Sequence, residues 1–167
     1  MTDSPDENAI IEAAEGIAKP YESLSLKPYL CPAGKPTIGY GTTWYPSGKA
    51  VTMDDPWISK EQASAYMRYA MLVMWHRLRK LLTRIPTANQ GAAMLDLAYN
   101  IGIGIRDGKK GDFADSDLLA AFNRGDDTRA AAEFLLWDKA HVHGKLIVLE
   151  GLKRRRQAER ALYLGDV

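Results

Sequence analysis

The chain has 167 residues, 46% of them hydrophobic and 26% charged, and a formal net charge of +1. That length and apolar content suit one globular domain with a sizeable core, and the near-neutral charge points neither to nucleic acid nor to an acidic partner. A single cysteine, Cys31, excludes an internal disulfide framework, so folding requires no oxidising compartment.

The opening "MTDSPDENAIIEAAEG" carries acids but no basic residue and no long apolar run, so neither a signal peptide nor a membrane-inserted segment is expected. Ser4 as N-cap, Pro5 in the first turn and Glu7 three residues after the cap predict a first helix. Its inner face is Ile10, Ile11, Ala14, Ile17 and Ala18, with Glu15 on the polar side. Pro20 removes a backbone donor, so the helix should kink or stop between Gly16 and Tyr21, leaving Glu22 at or just past its end. From Ser23 the pattern changes: "LSLKPYL" alternates, and "PAGKP" and "YPSGKA" are turn signals around the strand-like "TIGYG". Two or three short antiparallel strands follow from that.

Ser59 with Gln62 forms a capping box ahead of a long amphipathic helix over 60–82, whose apolar stripe is Ala63, Met67, Met71, Met74, Leu78 and Leu81. These methionines and Trp75 read as core, not as a cofactor site. Thr87 with Gln90 opens another helix through "GAAMLDLAYNIG", a glycine-rich loop covers 102–111, and shorter helices are predicted over 116–123 and 128–140. A last helix covers 149–164. The expected fold class is α+β: a small antiparallel sheet lobe over about 23–58 and a helical body from 1–22 and 59–167, joined by the long helix across a cleft.

Three groups of residues could carry chemistry. Glu22, at a helix end, faces a hairpin bearing Cys31 and Thr37, which is the equipment of glycoside hydrolysis: a proton donor and small polar groups that orient water on the opposite face. By spacing alone, a solvated acid, a small buried thiol and an ordinary strand threonine explain the same residues. Cys31 with His141 or His143 could form a cysteine–histidine amidase acting on wall peptides, although no flanking motif supports it. The three histidines, His76, His141 and His143, include no HExxH, so no metal site and no cofactor is expected. The basic run "KRRRQAER" could touch anionic polymers, or else solvate its arginines or pair them with acids while Leu149, Leu152, Ala158, Leu162 and Tyr163 pack inward. No aromatic platform interleaves it, which argues against nucleic acid.

The segment "YESLSLKPYLCPAGKPTIGYG" resembles the signature of phage-type lysozymes, the endolysin muramidases: a glutamate, eight residues, Asp or Cys, five residues, then threonine. Glu22, Cys31 and Thr37 keep both intervals, whereas the neighbouring dipeptide Glu15-Gly16 does not. "QGAAMLDLAYNIGIG", "FADSDLLAAFNRGD", and "EFLLW" with "LEGLKRRRQAE" resemble later blocks of the family in the same order. Ser23 and Thr42 stand where the family usually has glycine and histidine. The resemblance implies hydrolysis of the β-1,4 bond between N-acetylmuramic acid and N-acetylglucosamine in peptidoglycan, with inversion. It implies Glu22, Cys31 and Thr37 as catalytic residues, and Tyr40, Tyr99, Asn100, Phe113 and Ser116 as residues contacting the glycan strand. Arg155 would lie near Glu22. It further implies a monomer, held in the host cytoplasm until a holin-type pore opens, with no stable membrane insertion. A wall-binding module that has lost catalysis is the non-enzymatic alternative.

Overall fold

The computed structural model describes residues 5–166. Helix α1 (Glu7–Ala18) is capped by Asp6, whose side chain accepts from the Asn8 backbone N–H at 3.0 Å. Ser4, the expected cap, lies outside the described residues. The helix ends as anticipated before Pro20: Lys19 donates to the Glu15 carbonyl, and Tyr21 and Glu22 both donate to the carbonyl of Ala18. Strands β1 (Ser25–Leu30) and β2 (Pro36–Gly39) pair antiparallel with Tyr29 opposite Thr37, and further bridges join Ile38 to Thr42 and Trp44 to Ala50. Gly39 has φ +64°, and a Cβ there would sit 3.2 Å from the Cβ of Ala63. This glycine lets the sheet lie directly against the following helix.

That helix, α2 (Lys60–Leu78), starts at the complete Ser59–Gln62 capping box and runs into a 3₁₀ turn over Arg79–Leu81. Its buried stripe is Ala63, Met67, Met71, Trp75 and Leu78. Helix α3 (Ala88–Ile101), opened by the Thr87–Gln90 box, is the centre of the body: every residue from Gly91 to Ala98 is buried. It packs against α1, α2 and the terminal helix. A helix covered on all sides needs apolar and small residues all round, and "GAAMLDLA" supplies them with one exception, Asp96. Helices α4 (Asp117–Asn123, capped by Ser116) and α5 (Asp127–Phe134, capped by Asp126) add Phe122 and Phe134 to the same core. No described helix is long and apolar enough to cross a membrane.

Two expectations need correction. The helix predicted over 128–140 stops at Phe134, where Leu135, Leu136 and Trp137 tighten into bonds three residues back. A hairpin of β3 (Lys139–Val142) and β4 (Lys145–Val148) follows. Its two-residue turn, His143-Gly144, has positive φ at both positions, the backbone that matches strand twist in a tight hairpin. His-x-His therefore belongs to a strand and its turn, not to a polar loop. The second correction concerns α6 (Glu150–Leu164): its inward face is Arg155, Arg156, Glu159, Leu162 and Tyr163, while Leu149, Leu152 and Ala158 are only half-buried. Leu162 and Tyr163 set the rotation of the helix, and Arg155 finds its counter-charge in Asp96 on α3.

Candidate active site

Glu22 projects from the turn that ends α1, with 23% of its side chain exposed, and its Oε1 accepts from Arg155 Nη1 at 2.7 Å. The remaining guanidinium nitrogens of Arg155 grip Asp96 with both prongs, Nε to Oδ2 at 3.0 Å and Nη2 to Oδ1 at 2.7 Å. Asp96 is wholly buried, so its charge needs this fixed partner. Burial opposes the Arg155 charge, but Asp96 first and then Glu22 outweigh it and hold its pKa above the usual arginine value. Next to it, Arg156 donates to Glu159 Oε1 at 2.6 Å and to Asn100 Oδ1 at 3.0 Å. Burial, then the negative Asp96, pushes the Glu159 carboxyl well above its ordinary value, and burial pushes Arg156 down. Consistently, Glu159 Oε2 and Arg156 Nε have no hydrogen-bond partner among the described residues. Arg155 was the arginine the sequence suggested; Asp96 gave no signal beyond being an acid in an apolar stretch, and Glu159 none beyond being the one acid within the basic run.

The β1–β2 hairpin brings the other two expected residues together. Cys31 lies in its turn, where its N–H donates to the Lys35 carbonyl and its own carbonyl accepts from Gly34. The free thiol is half-buried. The backbone N–H of Lys35, then that of Ala33 and the Thr37 hydroxyl, outweigh burial and draw its pKa below the ordinary thiol value. Thr37 is buried and donates from Oγ1 to the Lys35 carbonyl at 2.9 Å. His141 and His143 stand on the β3–β4 hairpin and its turn, a different element from the Cys31 hairpin. Tyr29, which the sequence did not single out, lies within electrostatic reach of both carboxyl and sulfur: burial, then Cys31 and Glu22, raise its phenol.

Two cavities meet at Glu22. One, of about 360 Å³, is walled by Tyr40, Thr42, Thr43 and Trp44 on the sheet side, Ala70 and Met74 of α2, and Tyr99 and Asn100 of α3. The other, of about 330 Å³, is lined by Tyr21, Asn100, Leu149, Gly151, Leu152 and Arg155. Tyr40, Tyr99 and Asn100, expected against the glycan strand, line the first of these cavities, and the Tyr99 hydroxyl donates to the Tyr40 carbonyl at 3.1 Å. Burial, then the negative Glu22, raises the Tyr99 phenol. Phe113 and Ser116 are placed elsewhere: Phe113 is fully buried in the core, Ser116 caps α4, and neither lines the cavities at Glu22. A third cavity, between Glu7, Trp75 and Arg84, shares no lining residue with these two. Glu15, expected on the polar face of α1, is instead buried and paired with Arg68 at 2.7 Å and Lys19 at 3.5 Å. No group of three or more His, Cys, Asp or Glu residues among those described is placed to hold a metal ion.

The family model "Phage lysozyme" matches residues 19–159, a span that includes Glu22, the hairpin and Arg155. The chain belongs to the phage lysozyme family. It is a lysozyme-type glycosidase of the kind phages use as endolysins to hydrolyse peptidoglycan. It is 40% identical, over 88% of its length and 92% of the relative's, to the endolysin of Acyrthosiphon pisum secondary endosymbiont phage 1. The endolysin from Escherichia coli O157:H7 phage FAHEc1 superposes with a TM-score of 0.78 at 33% identity, covering 93% of this chain and 92% of that one. A mutant of P22 lysozyme, from a Salmonella phage, gives a TM-score of 0.72 at 31% identity, covering 98% of this chain and 99% of that one. Among lysozymes of this family, the α+β arrangement expected from the sequence is thus the shared fold.

Proposed function

We propose that Glu22 is the general acid of this lysozyme, cleaving the β-1,4 bond from N-acetylmuramic acid to N-acetylglucosamine with inversion. The observation that carries this reading is the position of Glu22: half-buried, fixed through one oxygen by a buried arginine, at the junction of two adjoining cavities. Arg155 engages Oε1, which leaves the other oxygen to carry the proton to the glycosidic oxygen as the C1–O bond breaks. A water held by the Thr37 hydroxyl and the Cys31 sulfur would attack C1 from the opposite face. Its proton leaves by way of the sulfur to solvent, a path favoured by the N–H donors that stabilise the thiolate. The whole chain then works as a single domain and a monomer on one glycan strand, with Tyr40, Tyr99 and Asn100 against the sugars. In this reading it waits in the host cytoplasm and reaches the wall through a holin-type pore.

The test is release of reducing ends from purified sacculi. Glu22→Gln should release none, and Cys31→Asp, which keeps a small polar acceptor beside Thr37, should remain active. Normal hydrolysis by Glu22→Gln refutes the assignment, and the anomeric form of the first product, followed by NMR, decides inversion. Release of amines in place of reducing ends would favour the cysteine–histidine amidase, and binding to sacculi without either product an inert wall-binding module.

A further inference from the structure

Trp44 is 65% exposed, an unusual position for the largest apolar side chain, yet its backbone is held firmly. It pairs with Ala50 across a loop that is cross-braced on its far side. There Asp55 accepts from the Tyr45 hydroxyl at 2.8 Å, the Thr52 N–H at 2.9 Å and the Thr52 hydroxyl at 2.9 Å, with Lys49 at 3.6 Å. The Tyr45 ring in turn meets Tyr66 of α2 edge-on, 5.3 Å between centroids. A braced loop does not need an exposed indole for its own stability. Trp44 forms part of the wall of the 360 Å³ cavity that contains Glu22. An exposed aromatic face on the wall of a cleft is complementary to a pyranose, whose axial C–H face meets the electron-rich ring.

We propose that Trp44 is the stacking platform for one sugar ring of the glycan strand, with the Asp55 brace holding the platform in place. This rests on the reading of Glu22 as the catalytic acid, since it takes the cavity beside Glu22 as the strand's path. Trp57, at the other end of the same loop, is 73% exposed but outside the cavity, with Lys27 over its ring at 5.9 Å. It serves as the internal control.

Binding is measured by calorimetry in the Glu22→Gln background, so that nothing is hydrolysed, with purified peptidoglycan glycan strands freed of stem peptides as the probe. Adding Trp44→Ala should weaken binding about tenfold, the effect of losing a buried aromatic anchor, while Trp44→Phe keeps most of it. Adding Trp57→Ala should leave binding unchanged. Circular dichroism melts check that each variant is folded, which the exposure of both indoles favours. Equal binding by Trp44→Ala, or an equal loss in Trp57→Ala, overturns the platform and leaves the Glu22 reading intact. Failure of the Glu22→Gln parent to bind any strand overturns the platform, and full reducing-end release by that same parent overturns the Glu22 reading itself.

Discussion

Replacing Arg155 with methionine keeps most of the buried aliphatic stem but removes the cation from a cluster in which, among the described residues, Glu22, Asp96 and Glu159 pair only with Arg155 and Arg156. The Arg155 side chain is 3% exposed and that of Asp96 0%, so water cannot take over the lost bonds to both oxygens of Asp96. Breaking a buried pair from one side in this way costs about 3–5 kcal/mol, most of it the stranded carboxylate. For a domain of this size that lowers the melting temperature by roughly 6–20 °C. Adding Asp96→Asn removes the stranded charge, and the double variant should recover about 1–3 kcal/mol relative to the sum of the single losses. Urea titrations followed by circular dichroism give all three values under one condition. A loss below about 1 kcal/mol for Arg155→Met, with no coupling to Asp96→Asn, would refute the claim that this arginine neutralises a buried acid.

Other substitutions probe separate parts of the molecule. Glu15→Gln should cost on the order of 1–2 kcal/mol in urea titration, because a buried acceptor loses its charge-assisted bond to Arg68, while lysis of sacculi per folded molecule is unchanged. Asp55 titrates at about 2, held low first by the Thr52 N–H and then by the Tyr45 hydroxyl, against an ordinary value near 4. Because the unfolded chain binds the proton more readily across that window, the brace contributes fully above about pH 4 and is lost as pH falls toward about 2. Unfolding midpoints measured from pH 6 to 2 should therefore converge for the native chain and Asp55→Asn at the acid end. Gly39→Ala forces a side chain into a left-handed backbone 3.2 Å from Ala63, so a loss of at least about 1–2 kcal/mol is expected in the same titration.

Local signals were legible wherever the physics is local. The capping boxes at Ser59 and Thr87 and the stop imposed by Pro20 all depend on groups within four residues of one another, and each appears where it was read. The β1–β2 hairpin that carries Cys31 and Thr37 was equally readable, because strand alternation and tight-turn signals are local. The exposed hairpin after α5 was missed: a helix-like apolar run extended past Phe134, and the His143-Gly144 turn is a two-residue signal easily outvoted.

What the chain by itself determined is therefore its helices, its turn chemistry and the one pattern that carries the family. Tertiary structure decided which charges are buried. The sequence suggested Arg155 near Glu22, 133 positions away, but nothing in it announced the buried partner that this arginine, and not the exposed Arg154 beside it, turns inward to meet: Asp96, 59 positions away. The same holds for Trp44, which comes to line one cavity with Glu22 only when the sheet side meets α2 and α3. Burial and counter-charge are properties of the packed whole, because the cost of desolvating an ion is set by everything that surrounds it and not by its neighbours in sequence.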